Sequence, residues 1–214
     1  EWLNRPNVDF RGVEVLTNGA FSRYRAVQAQ VRSRTGGEFQ YQLSYTLAQS
    51  TDNASRDSEL YAYNDLAARA ADVGPSAFDI RRSWHAMASW DPKRARIKGW
   101  GLDFVLRSRT AFPLNVLSGA DPVQINNMTY VLRPDVVAGQ PFWLDDPAAP
   151  GGRVLNRAAF ATPSGARQGT LGRNALRGFD FSQLDLSLRR TIRLPGGVES
   201  RSVELRADAF NALN

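Results

Sequence analysis

The chain holds one histidine, His85, and no cysteine. A Ser-His-Asp catalytic set would therefore have to run through that single imidazole. His85 sits between Trp84 and Ala86 in an alternating stretch, and no nucleophile-elbow motif occurs anywhere in the chain. A polar residue on the wet face of a strand is the better reading. Without thiols there is no disulfide framework, and zinc or iron sites built from His and Cys lack their ligands. Asp145-Asp146 and the Asp/Asn-rich run at 51–65 offer oxygen ligands to a hard cation. Neither has EF-hand spacing, so a solvated loop is expected. Gly99-Trp100-Gly101 reads as the start of a strand, because no helix follows to complete a phosphate-binding loop. Asn53-Ala54-Ser55 and Asn127-Met128-Thr129 fit the glycosylation sequon, a short motif that carries little weight here. What remains is recognition by rings. Tyr61, Tyr63, Phe142 and Trp143 lie in polar segments and could stack on a sugar or another planar solute. The competing reading is that they pack the loops onto one another. No catalytic residue, cofactor or metal is expected, and the chain is not read as an enzyme.

The elements that must carry these residues are strands. In the run 38–50, Phe39, Tyr41, Leu43, Tyr45 and Leu47 share one parity, while Gln40, Gln42, Ser44, Thr46 and Ala48 share the other. A β-strand sends alternate side chains to opposite faces, so one face is oily and aromatic and the other neutral-polar. Val27, Ala29 and Val31 alternate with Gln28, Gln30 and Arg32 just before it, joined by Ser33-Arg34-Thr35-Gly36-Gly37. Glycines that tolerate positive φ suit a tight hairpin there. The same alternation recurs at Trp84/Ala86/Ala88/Trp90, at Trp100/Leu102/Phe104/Leu106, at Leu184/Leu186/Leu188 and at Val203/Leu205/Ala207/Ala209.

Strands are thus expected near 23–33, 38–50, 81–91, 99–112, 181–193 and 200–212. Two long segments, 51–80 and 113–180, separate the hairpins, and Leu66–Ala71 could form a short helix in the first. Residues 1–23 read as an incoming loop with at most a short strand. Long loops inside compact domains are uncommon unless functional.

Bulk numbers bound the class. A mean hydropathy of −0.38 with no long apolar run argues against membrane helices. It does not argue against a membrane barrel, whose lumen-facing positions dilute every strand. The net charge of +6 leaves nucleic acid and anionic lipid as partner classes. The basic residues gather at short turns (Arg32 and Arg34; Lys93, Arg94, Arg96 and Lys98; Arg189, Arg190, Arg193 and Arg201), which reads as solvated turn ends and not as a nucleic-acid groove.

Two architectures fit an alternating all-β chain. A soluble sandwich buries the oily face against a second sheet; an outer-membrane barrel turns it to lipid. Hairpin, long loop, hairpin, long loop, hairpin is the asymmetry of barrels with short periplasmic turns and long extracellular loops. Phe39, Trp90 and Trp100 sit beside short turns, and Tyr45, Trp84 and Phe112 sit toward the long loops, as in two interfacial girdles. Asp103, Arg107 and Arg109 share a strand face, as do Asp185 with Arg189 and Glu204 with Arg206 and Asp208. A cation facing hydrocarbon near the midplane costs about 2–4 kcal/mol, so those faces must be wet.

Several stretches carry a family resemblance: Asn18-Gly19-Ala20-Phe21-Ser22-Arg23-Tyr24-Arg25-Ala26-Val27-Gln28, Tyr45-Thr46-Leu47-Ala48-Gln49-Ser50-Thr51-Asp52-Asn53-Ala54-Ser55, Gly74-Pro75-Ser76-Ala77-Phe78-Asp79-Ile80-Arg81, Gly172-Arg173-Asn174 and Leu205-Arg206-Ala207-Asp208-Ala209-Phe210-Asn211. In this order they resemble the C-terminal barrel region of TonB-dependent receptor-like outer-membrane proteins. The subgroup resembled is the Oar-like one, which carries a carboxypeptidase-regulatory-like domain. The resemblance implies a transmembrane β-barrel in the outer membrane of a Gram-negative-type bacterium. It also implies uptake of a bulky solute, with outer-membrane lipid, lipopolysaccharide, TonB and a plug domain outside this chain as partners. Gln28, Gln30, Gln40, Gln42, Asp103, Arg107, Asp185 and Arg206 would line the lumen, and no nucleic acid is expected to bind. About six strands are legible, fewer than the roughly eight of the smallest single-chain barrels, so 1–214 is expected to be part of one larger barrel domain. The alternative is a soluble secreted β-domain acting as a binding or adhesion module.

Overall fold

A computed structural model describes residues 18–55, 72–118, 123–125, 128–130, 132–164, 167–195 and 201–213. Six long strands form one antiparallel sheet in chain order: β1 (Ser22–Thr35), β2 (Phe39–Asp52), β3 (Arg82–Trp90), β4 (Trp100–Arg109), β5 (Phe181–Arg193) and β6 (Ser202–Ala209). The described residues contain no α-helix. None of their helices is long and apolar enough to cross a membrane. The proposed helix at Leu66–Ala71 lies outside the described residues, as does nearly all of the incoming segment.

The chain divides into two compact units. The sheet unit contains Tyr24–Gln49, Ile80–Phe112 and Gly178–Asn214, and the loop unit contains Glu1–Arg23, Ser50–Asp79 and Pro113–Arg177.

In the sheet unit local chemistry sets the strand ends. Between β1 and β2, Gly36 and Gly37 adopt φ of 55° and 67°, and the Glu38 amide donates to the Thr35 carbonyl at 3.1 Å. Two central residues at positive φ are what a type I′ hairpin turn requires. The turn is tighter than the five-residue join expected, because both strands stay paired up to it. Between β3 and β4 the chain coils through Asp91–Gly99 and pairs again at Trp100. β4 ends at Arg109, short of the expected 112, where Thr110 turns inward and its hydroxyl accepts from the Arg81 and Arg82 amides at 3.0 and 3.1 Å. β6 ends at Ala209, because Asn211 takes φ of 55° and hands its amide to the Asp185 carboxylate at 3.0 Å.

The register aligns the alternation across the sheet. Leu43, Ala86, Leu106 and Leu184 stand in one transverse row, and Gln42, Met87, Val105 and Asp185 in the next. One face is therefore apolar from β2 to β6, and it is uncovered. Phe39 is 40% exposed, Trp84 41%, Trp100 40% and Leu188 45%. A soluble sandwich would have sealed these side chains under a second sheet at core density. Exposure at this level across a whole sheet face corrects that alternative. Among the described residues β1 and β6 have no strand on their outer sides, so the sheet they form is open and is part of a barrel, not a closed one.

The loop unit, which takes in most of the long segment expected at 113–180, carries short strands among its described residues. It is built from four short antiparallel ladders: Pro113–Leu114 with Leu176–Arg177, Val123–Ile125 with Met128–Tyr130, Asp135–Val136 with Phe160–Ala161, and Trp143–Asp145 with Arg153–Leu155. Gly74–Pro75 pairs with the last two residues of β2. Two- and three-residue strands are too short for alternation to show in a sequence.

Candidate functional site

Two groups of polar side chains stand out, one on the sheet and one in the loop unit. On the sheet, the face opposite the oily rows carries charges that meet across strands. Gln40 pairs in register with Ser89, Ser89 with Asp103, Asp103 with Ser187, and Ser187 with Asp208. Ser89 Oγ donates to Asp103 Oδ1 at 2.6 Å, and Arg189 Nε donates to Asp103 Oδ2 at 2.7 Å. The Arg189 guanidinium also reaches Asp91 at 3.0 Å. One row further, Gly101, Arg189 and Arg206 align, and Arg206 pairs with Asp208 at 2.8 Å. Toward the other end Arg107 lies 3.6 Å from Asp185, which also accepts from Gln183 at 2.8 Å. Ser44, His85 and Arg107 share a row with Gln183.

The expected lumen residues Gln40, Gln42, Asp103, Arg107, Asp185 and Arg206 thus stand on one face. Gln30 joins them through a 3.1 Å hydrogen bond from its amide to Ser44 Oγ, and Gln28 follows by alternation. His85 is on this face beside an arginine and a serine, as the sequence suggested for a strand polar residue. Gly101 was missed. A β-carbon there would meet the Arg189 guanidinium at 2.9 Å and Asp91 Oδ1 at 2.8 Å. The missing side chain is what lets Arg189 lie flat between Asp91 and Asp103. A glycine inside an otherwise alternating strand is the available signal for such a close approach.

Rings mark both ends of the opposite face. Phe39 and Trp90 are register partners near the short turns, with Trp100 beside them on β4. At the other end the Tyr45 and Trp84 rings pack at 4.1 Å. Arg109 and its register partner Phe181 alternate with Arg107 and Gln183 and so stand on the polar face, where the Arg109 guanidinium lies 4.0 Å from the Phe112 ring and 5.3 Å from Phe181.

In the loop unit, Arg173 is wholly buried and forms an ion pair with the equally buried Asp52. It also donates to the Asp72 carbonyl at 2.8 Å and to Ser55 Oγ at 3.2 Å. Ser55 returns to Asp52 at 2.9 Å and accepts from the Ala77 amide at 2.8 Å. Arg133, also buried, pairs with Asp72 at 2.9 Å. Asp79 caps the Ser50 amide at 2.5 Å and pairs with Arg177. A buried network of ion pairs and hydrogen bonds of this kind holds widely separated stretches of a loop region in one arrangement. Sequence reasoning read Asp52 as a solvated loop residue and Arg173 only as part of a resembling motif, because a pairing across about a hundred residues leaves no local signature.

Of the four loop rings, Tyr61 and Tyr63 lie outside the described residues. Phe142 stacks on Phe160 at 5.5 Å, and Arg153 lies over the Trp143 ring at 4.3 Å. Asn156 holds the same hairpin, donating to the Pro141 carbonyl at 2.8 Å and accepting from the Ala158 amide at 3.1 Å. Phe142 and Trp143 therefore pack within their own loop, each half-buried. No cluster of metal-ligating side chains occurs among the described residues. Asp135 accepts from Arg167 at 2.6 and 2.9 Å and from the Thr170 amide at 3.0 Å. Those bonds, the Arg167 guanidinium first, hold its carboxyl below the usual carboxylate range and raise Arg167 in turn.

A family model described as an outer membrane beta barrel domain matches residues 2–214. Searches of curated proteins and of solved structures returned no match. The match spans essentially the whole chain, and it agrees with an antiparallel sheet that is wet and charged on one face and uncovered and oily on the other. The chain belongs to the outer membrane β-barrel domain family, and its place is the bacterial outer membrane.

Proposed function

We propose that this chain is wall and external-loop structure of a TonB-dependent receptor-like transporter that takes up a bulky solute. The observation that carries the reading is the two-sidedness of the sheet. Its polar face bears amides and cross-strand ion pairs suited to a water-filled passage, and its apolar face, ringed at both ends, suits lipid. Gln28, Gln30, Gln40, Gln42, Asp103, Arg107, Asp185 and Arg206 then line the passage. The short turns lie at the periplasmic surface. The buried Arg–Asp network presets the loops, so a solute meets a formed surface and less ordering entropy is lost on binding. The role is passive: this segment breaks no bonds and holds no cofactor. TonB and a plug domain act from outside this chain, with outer-membrane lipid and lipopolysaccharide around it.

The test uses the full-length protein in its own cells. Formaldehyde cross-linking should capture TonB, and the protein should fractionate with the outer membrane and migrate faster on gels before boiling than after. Outer-membrane fractionation and heat-dependent migration without any TonB adduct would remove the energised-uptake reading and leave a passive barrel.

A further inference from the structure

The cations at the short-turn end of the sheet are not consumed by the pairing on the polar face. Lys93, Arg94, Arg96, Lys98 and Arg193 are exposed there, and Arg190 is half-exposed. None of the six takes part in an ion pair among the described residues. Arg190 is the informative one. Its register partners are Trp100 and Leu205, and it alternates with Leu188 and Ile192, so it stands on the oily face. Its guanidinium lies 5.1 Å from the Trp100 ring centroid and donates to the Lys98 carbonyl at 2.7 Å.

We propose that this rim is a binding belt for the phosphate headgroups of anionic phospholipids, with Arg190 and Lys98 at its centre. The proposal rests on the membrane orientation given under Proposed function. An arginine on a lipid-facing row is costly in hydrocarbon and is tolerated where its stem covers apolar neighbours and its head reaches the interface. Trp100 beside it is the residue type that settles at that depth. The guanidinium fork matches a phosphate in two-point geometry, and the lysines supply compact charge nearby. Lys93 also donates to the Gly36 carbonyl at 2.8 Å, joining the first two turns into one continuous edge. Free phosphate would make no use of the oily surface next to the cations. A lipid satisfies both, with its chains along Leu102, Leu188 and Ile192 and its phosphate at Arg190.

The test places the full-length protein in phosphatidylcholine nanodiscs doped with spin-labelled phosphatidylglycerol or spin-labelled phosphatidylcholine. The immobilised fraction is read by electron spin resonance. The wild type should prefer phosphatidylglycerol several-fold. R190Q/K98Q should lower that preference by about fivefold for each charge removed. R94Q/R96Q, confined to an exposed turn, should lower it as well without touching the sheet. Heat-dependent migration is followed in every sample. Wild type and both variants with equal selectivity and intact migration overturn the belt alone, and loss of the preference on adding millimolar inorganic phosphate at constant ionic strength overturns the lipid assignment. Wild type without heat-dependent migration removes the barrel reading and the belt together.

Discussion

At the scale of single residues, the pair formed by Arg173 and Asp52 sets the sharpest expectation. Both are buried, so removing one partner leaves an uncompensated charge, which costs about 3–5 kcal/mol. D52N should therefore loosen the loop unit, read as faster proteolytic nicking near 72–79 in the full-length protein. Replacing both partners with apolar residues of similar volume should recover much of the loss, because no lone charge remains. Asp135 and Arg167 behave differently, since Arg167 is exposed and Asp135 only half-buried, so solvent and salt screen the pair. The Asp135 carboxyl is depressed in the folded chain, so its contribution is fully present at neutral pH. It is lost only as pH falls through that depressed value, below the ordinary 3.8. Amide hydrogen exchange at Thr170, whose N–H bonds to Asp135, should stay constant from pH 7 to the carboxylate range after correction for intrinsic rate and rise below it. D135N should abolish the step.

At the scale of the strand, the two faces of β2 make opposite predictions at adjacent positions. Leu43 stands mid-row on the oily face and Gln42 on the polar one. L43R should cost about 2–4 kcal/mol in refolding into vesicles, measured by urea titration, whereas Q42R should be nearly neutral. Equal penalties at both positions would mean that the two faces meet the same solvent. Gly101 offers a second test on β4. G101V should displace Arg189 from Asp103 and lower stability in the same titration, while V105A, two periods of the alternation away on the same face, should have a smaller effect. The strand positions themselves were legible, because period-two alternation is local. The ends were less so, since Thr110 and Asn211 stop strands through bonds to residues far along the chain.

At the scale of the whole molecule, six strands with open edges require neighbours that satisfy the backbone groups of β1 and β6. In the full-length protein, single cysteines can be placed at Gln42 and Leu43 in a background cleared of other thiols. A water-soluble, membrane-impermeant maleimide should modify the first and leave the second protected. Labelling of both would show that the oily face is also wet, contrary to a lipid boundary.

Composition and alternation alone determined that the chain is β, which residues share a face, and that one family of faces must be wet. Those are consequences of local geometry, since a side chain two positions along a strand always returns to the same side. Only the tertiary structure decided that the oily face lies uncovered and that Arg189 threads between two aspartates over Gly101. It alone showed that the described residues of 113–177 are held by short ladders and by arginines paired with aspartates as much as about a hundred and twenty residues away. Partnership at such distance depends on how the whole chain closes on itself, and no window of neighbouring residues contains it.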